Sequence, residues 1–352
     1  YEAGGKMKKL STIFFALFFI FTFCLIPETI EERIDNLTKA EMQSVVEFLS
    51  HDLIEGRAPG TRGGNISELY MKTLFKFMDL QPGENGKYLQ PFKLKGFNTQ
   101  ELQLTANGVT LDYFEDIMGS YPRSEEEFEL EAEAVFVGFG IIAPLWKWDD
   151  YNGVDVRDKF VITRVNDPGL YRPDKFEADT LTYYGRWTYH IEEAARRGAA
   201  GILLIHTDRT AGYSWDVVKN SWAGEELYLE SDLNNLLKFR GWIKESSLKK
   251  ILKARRIDIK ELYRQSLKKK FKPMDLGFKI KVKGKSRFRE VLNHNVVAEI
   301  PGKSTKRIVL SAHIDHFGKN EKLEGDNIFN GAIDNGTAVA SLAMAATILK
   351  QF

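Results

Sequence analysis

The sequence predicts an α/β protein of more than one domain. Strand-like apolar runs alternate with helical periodicity: Lys159-Phe160-Val161-Ile162-Thr163, a helix from about His190 to Arg197 ended by Gly198, then Gly201-Ile202-Leu203-Leu204-Ile205. The 352 residues suffice for two or three domains at about 100–200 residues each. With 43% hydrophobic residues, the chain can bury a sizeable core.

Charge and cysteine content narrow the function classes. The 50 Lys and Arg nearly cancel the 49 Asp and Glu, which excludes a wholly basic nucleic-acid binder and an acidic disordered tail. One cysteine excludes a disulfide framework, a Cys-based zinc finger and an iron–sulfur cluster. Any metal must therefore sit on histidine and carboxylates.

The first element is an export segment. Met7-Lys8-Lys9 precedes an apolar run from Leu10 to Ile26, broken only by Ser11, Thr12 and Thr22, and Tyr1 to Lys6 lie upstream of Met7 as the start. A positive start followed by an apolar stretch is the anatomy of a secretory signal, and a buried core helix is the poorer reading. Its fate has three versions: a cleaved signal, a lipid anchor on Cys24 (behind a poorly suited Phe23), or a retained anchor somewhat shorter than the ~20 residues a membrane-spanning helix needs. With the lysines inside, each places the body of the protein across the membrane, so it is expected to be periplasmic, secreted or membrane-anchored facing outward.

From Ile34 to about Leu80 the pattern gives two amphipathic helices around a turn rich in Gly and Pro, Glu55 to Gly64. Short strand-like segments follow from about Phe92 to Leu111, then an acidic run, Glu125 to Glu133, and a β-rich stretch opening at Ala134-Val135-Phe136-Val137-Gly138. Gly138-Phe139-Gly140-Ile141-Ile142-Ala143 fits a dinucleotide fingerprint formally, but Pro144 to Trp148 continue no helix, so a tight turn is expected. Between Lys238 and Glu290 stand 20 basic and 5 acidic residues. An anionic membrane surface would suit such a block. Solvated helix faces suit it better, because Leu248, Ile251, Leu252, Ile259, Leu262 and Leu267 keep helical spacing with lysines outward.

Chemistry concentrates near the C-terminal end. Asn295-Val296-Val297-Ala298-Glu299-Ile300 and Arg307-Ile308-Val309-Leu310 read as apolar strands, the second ending in Ser311-Ala312-His313-Ile314-Asp315-His316. A side-chain period of two puts His313 and Asp315 on one face. That is the spacing at which a carboxylate can hold the second ring nitrogen of a metal-binding imidazole. Nineteen residues later, Asp334 lies in the loop Gly331-Ala332-Ile333-Asp334-Asn335-Gly336, ahead of an apolar helix from about Ala338 to Leu349 that expects burial on most faces. A carboxylate there can bridge two cations. On spacing alone, an ordinary hydrogen-bonded pair at a strand end and a helix start remains open, and nothing makes His316 a ligand. There is no H-E-x-x-H and no G-x-S-x-G.

His313-Ile314-Asp315-His316-Phe317-Gly318 together with Gly325-Asp326-Asn327-Ile328-Phe329-Asn330-Gly331-Ala332-Ile333-Asp334-Asn335-Gly336 resembles the co-catalytic zinc peptidases of the M28 family. Glu55-Gly56-Arg57-Ala58-Pro59-Gly60-Thr61-Arg62-Gly63-Gly64 resembles the N-terminal signature of exported bacterial members. Val135 to Ile141, Trp148 to Tyr151, Tyr183 to Tyr189 and Glu193 to Gly201 resemble the protease-associated (PA) domain often inserted in them. The resemblance implies a mixed sheet flanked by helices with a β-rich PA insert. It divides the chain into an export signal or anchor (1–34), the N-terminal part of the peptidase domain (35–108), the insert (109–284) and the first half of the catalytic core (285–352).

It also implies roles: His313 a zinc ligand, Asp334 the carboxylate bridging two Zn2+, and Asp315 the catalytic-site partner that orients His313. A Glu-Glu pair, a later Asp and a final His are further required, yet none of the 18 residues after Asp334 is Glu, Asp or His. The expectation is an exported zinc exopeptidase, aminopeptidase-like, acting on a peptide or protein substrate and not on nucleic acid, with these residues an inactive N-terminal fragment. The rival class is a non-catalytic binding protein that keeps both folds.

Overall fold

The structure is a computed structural model that describes Glu32 and residues 39–321, 323 and 325–351. The export segment Met7–Ile26, with Cys24, lies outside the described residues. In chain order run helix α1 (Lys39–Leu49), a 3-10 turn (Asp52–Arg57), helix α2 (Arg62–Phe77) and strands β1 (Gln81–Pro82), β2 (Leu89–Ala106), β3 (Val109–Asp112), β4 (Ile117–Ser120), β5 (Glu127–Phe136), β6 (Ile142–Ala143), β7 (Trp148–Asp149) and β8 (Phe160–Arg164). Then come α3 (Trp187–Arg196), β9 (Gly201–His206), α4 (Asp208–Ala211), α5 (Trp215–Trp222), β10 (Glu226–Leu229), β11 (Phe239–Lys244), α6 (Glu245–Lys253), α7 (Ile259–Ser266) and β12 (Met274–Val296). Last are β13 (Ala298–Glu299), β14 (Gly318–Lys319), β15 (Ile328–Phe329) and α8 (Thr337–Leu349). The chain forms two compact units: unit 1 is 1–90, 296–316 and 329–352, and unit 2 is 91–295 and 317–328.

Unit 2 carries the mixed α/β architecture that the sequence leads one to expect. Its nine-stranded sheet has the order β10-β2-β12-β5-β8-β9-β11-β4, with β3 beside β2. The pairs β5–β8, β8–β9 and β9–β11 are parallel, and β12–β5 and β11–β4 antiparallel. Strands β8 and β9 are buried along their whole length, as apolar runs covered on both faces must be. On one face, Leu248, Ile251 and Leu252 of α6 and Ile259 and Leu262 of α7 share a core with Phe136, Phe160, Leu203 and Ile243. On the other, Ile191 and Ala194 of α3 and Trp215, Val218 and Trp222 of α5 pack with Val161, Ile202, Leu204 and Trp242.

The basic block divides between two settings. On α6 and α7 the apolar stripe faces the core and the lysines point outward, as the spacing predicts. In β12, however, Lys279, Lys281, Lys283 and Lys285 stand directly opposite Glu133, Glu131, Glu129 and Glu127 of β5. Diagonal ion pairs join Lys281 to Glu129 at 2.6 Å and Lys279 to Glu131 at 3.5 Å. Unit 2 as a whole holds 36 Lys and Arg against 34 Asp and Glu, a net +2, so the block is balanced within its own unit.

In unit 1, α1, α2 and α8 share a core of Val45, Leu49, Met71, Phe75, Val339, Ala340 and Ala346. Helix α8 buries one stripe (Val339, Ala340, Ala343 and Ala346) rather than most of its faces, and Leu349 is half-exposed. The turn between α1 and α2 is as tight as its composition suggests. A Cβ on Gly63 would sit 1.7 Å from the Ile54 carbonyl oxygen, so only glycine lets the first turn of α2 approach that backbone. One expectation fails. Residues Arg307–Leu310 form no strand, and Ile308 and Val309 are exposed. An apolar run becomes a strand only when a neighbour completes its hydrogen-bond ladder, and no described strand pairs with it.

A candidate metal centre

Unit 1 brings together the three residues singled out by spacing. Although 312–316 is not in a ladder, it keeps the alternation of extended chain. Ala312 and Ile314 pack against the unit 1 core, while His313 is exposed on the opposite side. Asp334 arrives from the turn ahead of α8, where the Asp334–Asn335 peptide is cis. The His313 Nε2 lies 3.1 Å from Asp334 Oδ1. Its Nδ1 lies 3.1 Å from the Asp315 carbonyl oxygen and 3.7 Å from the Asp315 carboxylate. Asp315 therefore does reach the second ring nitrogen, but mainly through its backbone.

This arrangement decides the chemistry of the pair. With Nδ1–H donating to the Asp315 carbonyl, Nε2 turns a lone pair toward the Asp334 carboxylate. Two acceptors 3.1 Å apart call for a proton or a cation between them. Imidazole nitrogen and carboxylate oxygen are both zinc donors, and at bonds of about 2.0–2.1 Å two tetrahedral ligands stand roughly 3.3 Å apart. The donors present thus fit zinc. They are two of the four such a site takes. Among the described residues, no group of three or more His, Cys, Asp or Glu is arranged to hold a metal ion.

Both donors are held by a residue of the Gly- and Pro-rich turn whose burial its sequence context does not signal. Arg57 is 1% exposed, and its guanidinium donates to carbonyl oxygens on both sides of the site. Nε reaches Ile314 at 2.6 Å; Nη1 reaches Leu49 at 2.5 Å and also Asn330; Nη2 reaches Gly331 at 2.6 Å and Asp334 at 3.4 Å. Burial lowers the Arg57 pKa, opposed by the negative Asp315 and Asp334. Asn330 adds a second tie, donating to the Ser50 carbonyl at 2.8 Å and to Asp52 at 2.7 Å. Gly331, at φ +63°, leaves no room for a Cβ, which would stand 2.5 Å from the Asp334 carbonyl oxygen and 2.7 Å from His316 Cδ2. Burial also lowers the pKa of His316, whose ring meets Phe329 edge-on at 6.4 Å.

Residues 295–352 match the model of Peptidase family M28. That segment contains His313, Asp315 and Asp334. No curated protein matches the sequence. Among solved structures, the chain is similar to an aminopeptidase from Aneurinibacillus sp. strain AM-1 (17% identity, 92% of this chain and 62% of that one, TM-score 0.48). It is also similar to the Peptidase M28 precursor from Shewanella amazonensis SB2B (14%, 89% and 61%, 0.43) and to BSAP, a zinc aminopeptidase from Bacillus subtilis (15%, 88% and 57%, 0.38). The chain spans 57–62% of the length of these structures.

Proposed function

We propose that this chain belongs to an exported zinc peptidase that removes residues near a chain end, as an aminopeptidase does. The observation that carries the reading is the convergence of His313 Nε2 and Asp334 Oδ1 at 3.1 Å, with Asp315 behind His313, inside the segment that matches Peptidase family M28. His313 and Asp334 would hold zinc, with Asp334 shared between two ions. Zinc bound there supplies an activated water and polarises the scissile carbonyl.

The protein's own contribution is positional. The Asp315 carbonyl fixes the imidazole tautomer and its direction, so that Nε2 keeps its lone pair toward the metal. Arg57 locks the His313 segment and the Asp334 loop to one planar group, which holds their separation. Unit 2 is proposed as the PA-type insert that helps select a peptide or protein substrate, and the Met7–Ile26 segment as the export signal or anchor. On this reading the 352 residues alone bind zinc weakly and turn over no substrate.

The test is zinc content and aminopeptidase turnover of the complete gene product, with His313→Ala and Asp334→Asn beside it. Both variants should lose zinc and activity. Unchanged turnover in both would sink the assignment, and a folded product that neither binds zinc nor cleaves would favour the binding-protein alternative.

A further inference from the structure

Unit 2 contains a cavity of about 450 Å3. It sits at the carboxyl ends of three adjacent parallel strands: β8 ends on Arg164, β9 passes Ile205 to reach Thr207, and β11 runs into Glu245. In sheets with helices on both faces, this is the edge where ligands bind, because strand ends leave a crevice there. Helix α7 and its C-terminal residue supply Tyr263 and Leu267 as further walls.

Arg164 is the group that needs explaining. It is 3% exposed, yet no carboxylate lies within 4.0 Å of it among the described residues. Its Nη1 donates to Ser266 Oγ at 3.0 Å, and the Tyr171 hydroxyl is its other side-chain acceptor. The guanidinium carbon lies 4.4 Å from the ring centre of Phe139 and 4.3 Å from those of Tyr171 and Tyr263. Ring faces favour a cation, but they offer nothing to the N–H groups in the guanidinium plane. A cation buried this way is short of a counter-charge.

Arg209 stands on the same wall at the solvent side, exposed rather than buried. It lies 4.9 Å over the Tyr171 ring, and among the described residues its side chain makes a 3.4 Å hydrogen bond to the Leu170 carbonyl and no ion pair. The third arginine of the lining, Arg264, is already paired with Glu261 at 2.6 Å. Glu245, the acid of the lining, is paired with Lys249 and hydrogen-bonded to Tyr263, and its charge reaches Arg164 only at longer range. The cavity therefore presents one buried guanidinium with no ion-pair contact and one exposed guanidinium at its rim, beside aliphatic and aromatic walls.

We infer that this cavity binds a small organic carboxylate, whose two oxygens pair with Arg164 and Arg209 while its apolar body rests against Ile205, Leu267 and the tyrosine rings. The planar fork of a guanidinium matches a carboxylate in-plane. The volume lies within the range of about 300–1,000 Å3 typical of small-molecule sites, and an inorganic anion would leave most of it and all of its apolar wall unused. The site belongs wholly to unit 2 and is independent of the zinc reading.

Calorimetric titration of the full chain with 3-phenylpropanoate, 3-phenylpropanamide and inorganic phosphate tests it. The acid is expected to bind at least about tenfold more tightly than the uncharged amide or phosphate. Arg209→Gln should weaken the acid by about tenfold, and Leu267→Trp, which fills the cavity without touching a charge, should abolish it. Equal binding of acid and amide, tighter binding of phosphate, or no binding of the acid would overturn the inference. Because those three probes are compared on the unaltered chain, the outcome stands even if a variant misfolds.

Discussion

Replacing Arg57 by methionine removes a buried group that joins the backbone of the His313 segment to that of the Asp334 loop. The side chain is 1% exposed and donates to five carbonyl oxygens, those of Leu49, Ile314, Asn330, Gly331 and Asp334. Hydrogen bonds from a charged donor contribute about 1.5–3 kcal/mol each, but they share one cation and do not add. Removing the cation also returns part of its solvation penalty, while one buried and four part-buried carbonyl contacts lose their donor. A desolvated carbonyl left without a donor costs about 1–3 kcal/mol, and with water able to reach some of the five, a total of about 3–5 kcal/mol is expected. At a urea dependence of about 2 kcal/mol per molar, the unit 1 unfolding midpoint should fall by roughly 1.5–2.5 M. Urea unfolding followed through labelled methyl groups of unit 1 reads this directly, with those of unit 2 as the internal reference. Arg57→Lys keeps the charge but cannot reach both segments from one plane, so its loss should be intermediate. A midpoint within about 0.3 M of the parent would refute the reasoning, since it would mean that the five bonds are not what fixes the two donors.

Two further outcomes concern unit 2. Burial pushes the Asp150 carboxyl up to about 8 from 3.8, although the Phe139 and Ile141 backbone N–H groups donate to it, and pushes buried His190 down to about 4 from 6.5. A raised carboxyl makes the folded state hold a proton that the unfolded chain releases, so stability falls as pH rises from about 4 to about 8. A lowered imidazole does the reverse and loses stability as pH falls from 6.5 toward 4. The opposed slopes should leave the unit 2 melting temperature falling most clearly between about 6.5 and 8. Asp150→Asn should remove that fall and expose the His190 slope below it; an unaltered pH profile in that variant would exclude the account. In the β5–β12 ladder, Lys281→Glu should lower the melting temperature, most at low salt, and adding Glu129→Lys should recover part of the loss, because it remakes the diagonal pair while positions 281 and 129 still face the like charges of Glu131 and Lys283; no recovery at all would count against the register.

Much of this was legible in the sequence where local periodicity decides the outcome. The apolar runs of β8 and β9 and the helical spacing of Leu248 to Leu262 lead straight to the buried layers of unit 2. The His313–Asp315 spacing likewise survives in extended chain. Arg57 was not legible as a clamp, because its partners Ile314 and Gly331 are 257 and 274 residues away, and a Gly- and Pro-rich turn gives no hint that its arginine is buried. Arg307–Leu310 departs from expectation for the opposite reason: apolar composition favours a strand, but a strand is a property of two segments, and no described strand lies beside this one. The glutamate–lysine ladder was available in principle. Glu127, Glu129, Glu131 and Glu133 alternate with period two, as do Lys279, Lys281, Lys283 and Lys285, but tallying charge by block hides that match.

That ladder also shapes what unit 2 can do at a distance. Free charges closer together than the screening length, about 8 Å at physiological salt, merge into one field for an approaching molecule. Glutamates interleaved with lysines across a strand pair, in a unit that nets only +2, send almost no such field outward. Electrostatic steering of a charged partner toward this sheet face is therefore weak, and encounters there proceed at the slower rate of uncharged surfaces. Any charge selectivity that unit 2 possesses must then be exercised at close range, where desolvated guanidinium groups such as Arg164 meet a ligand one bond at a time.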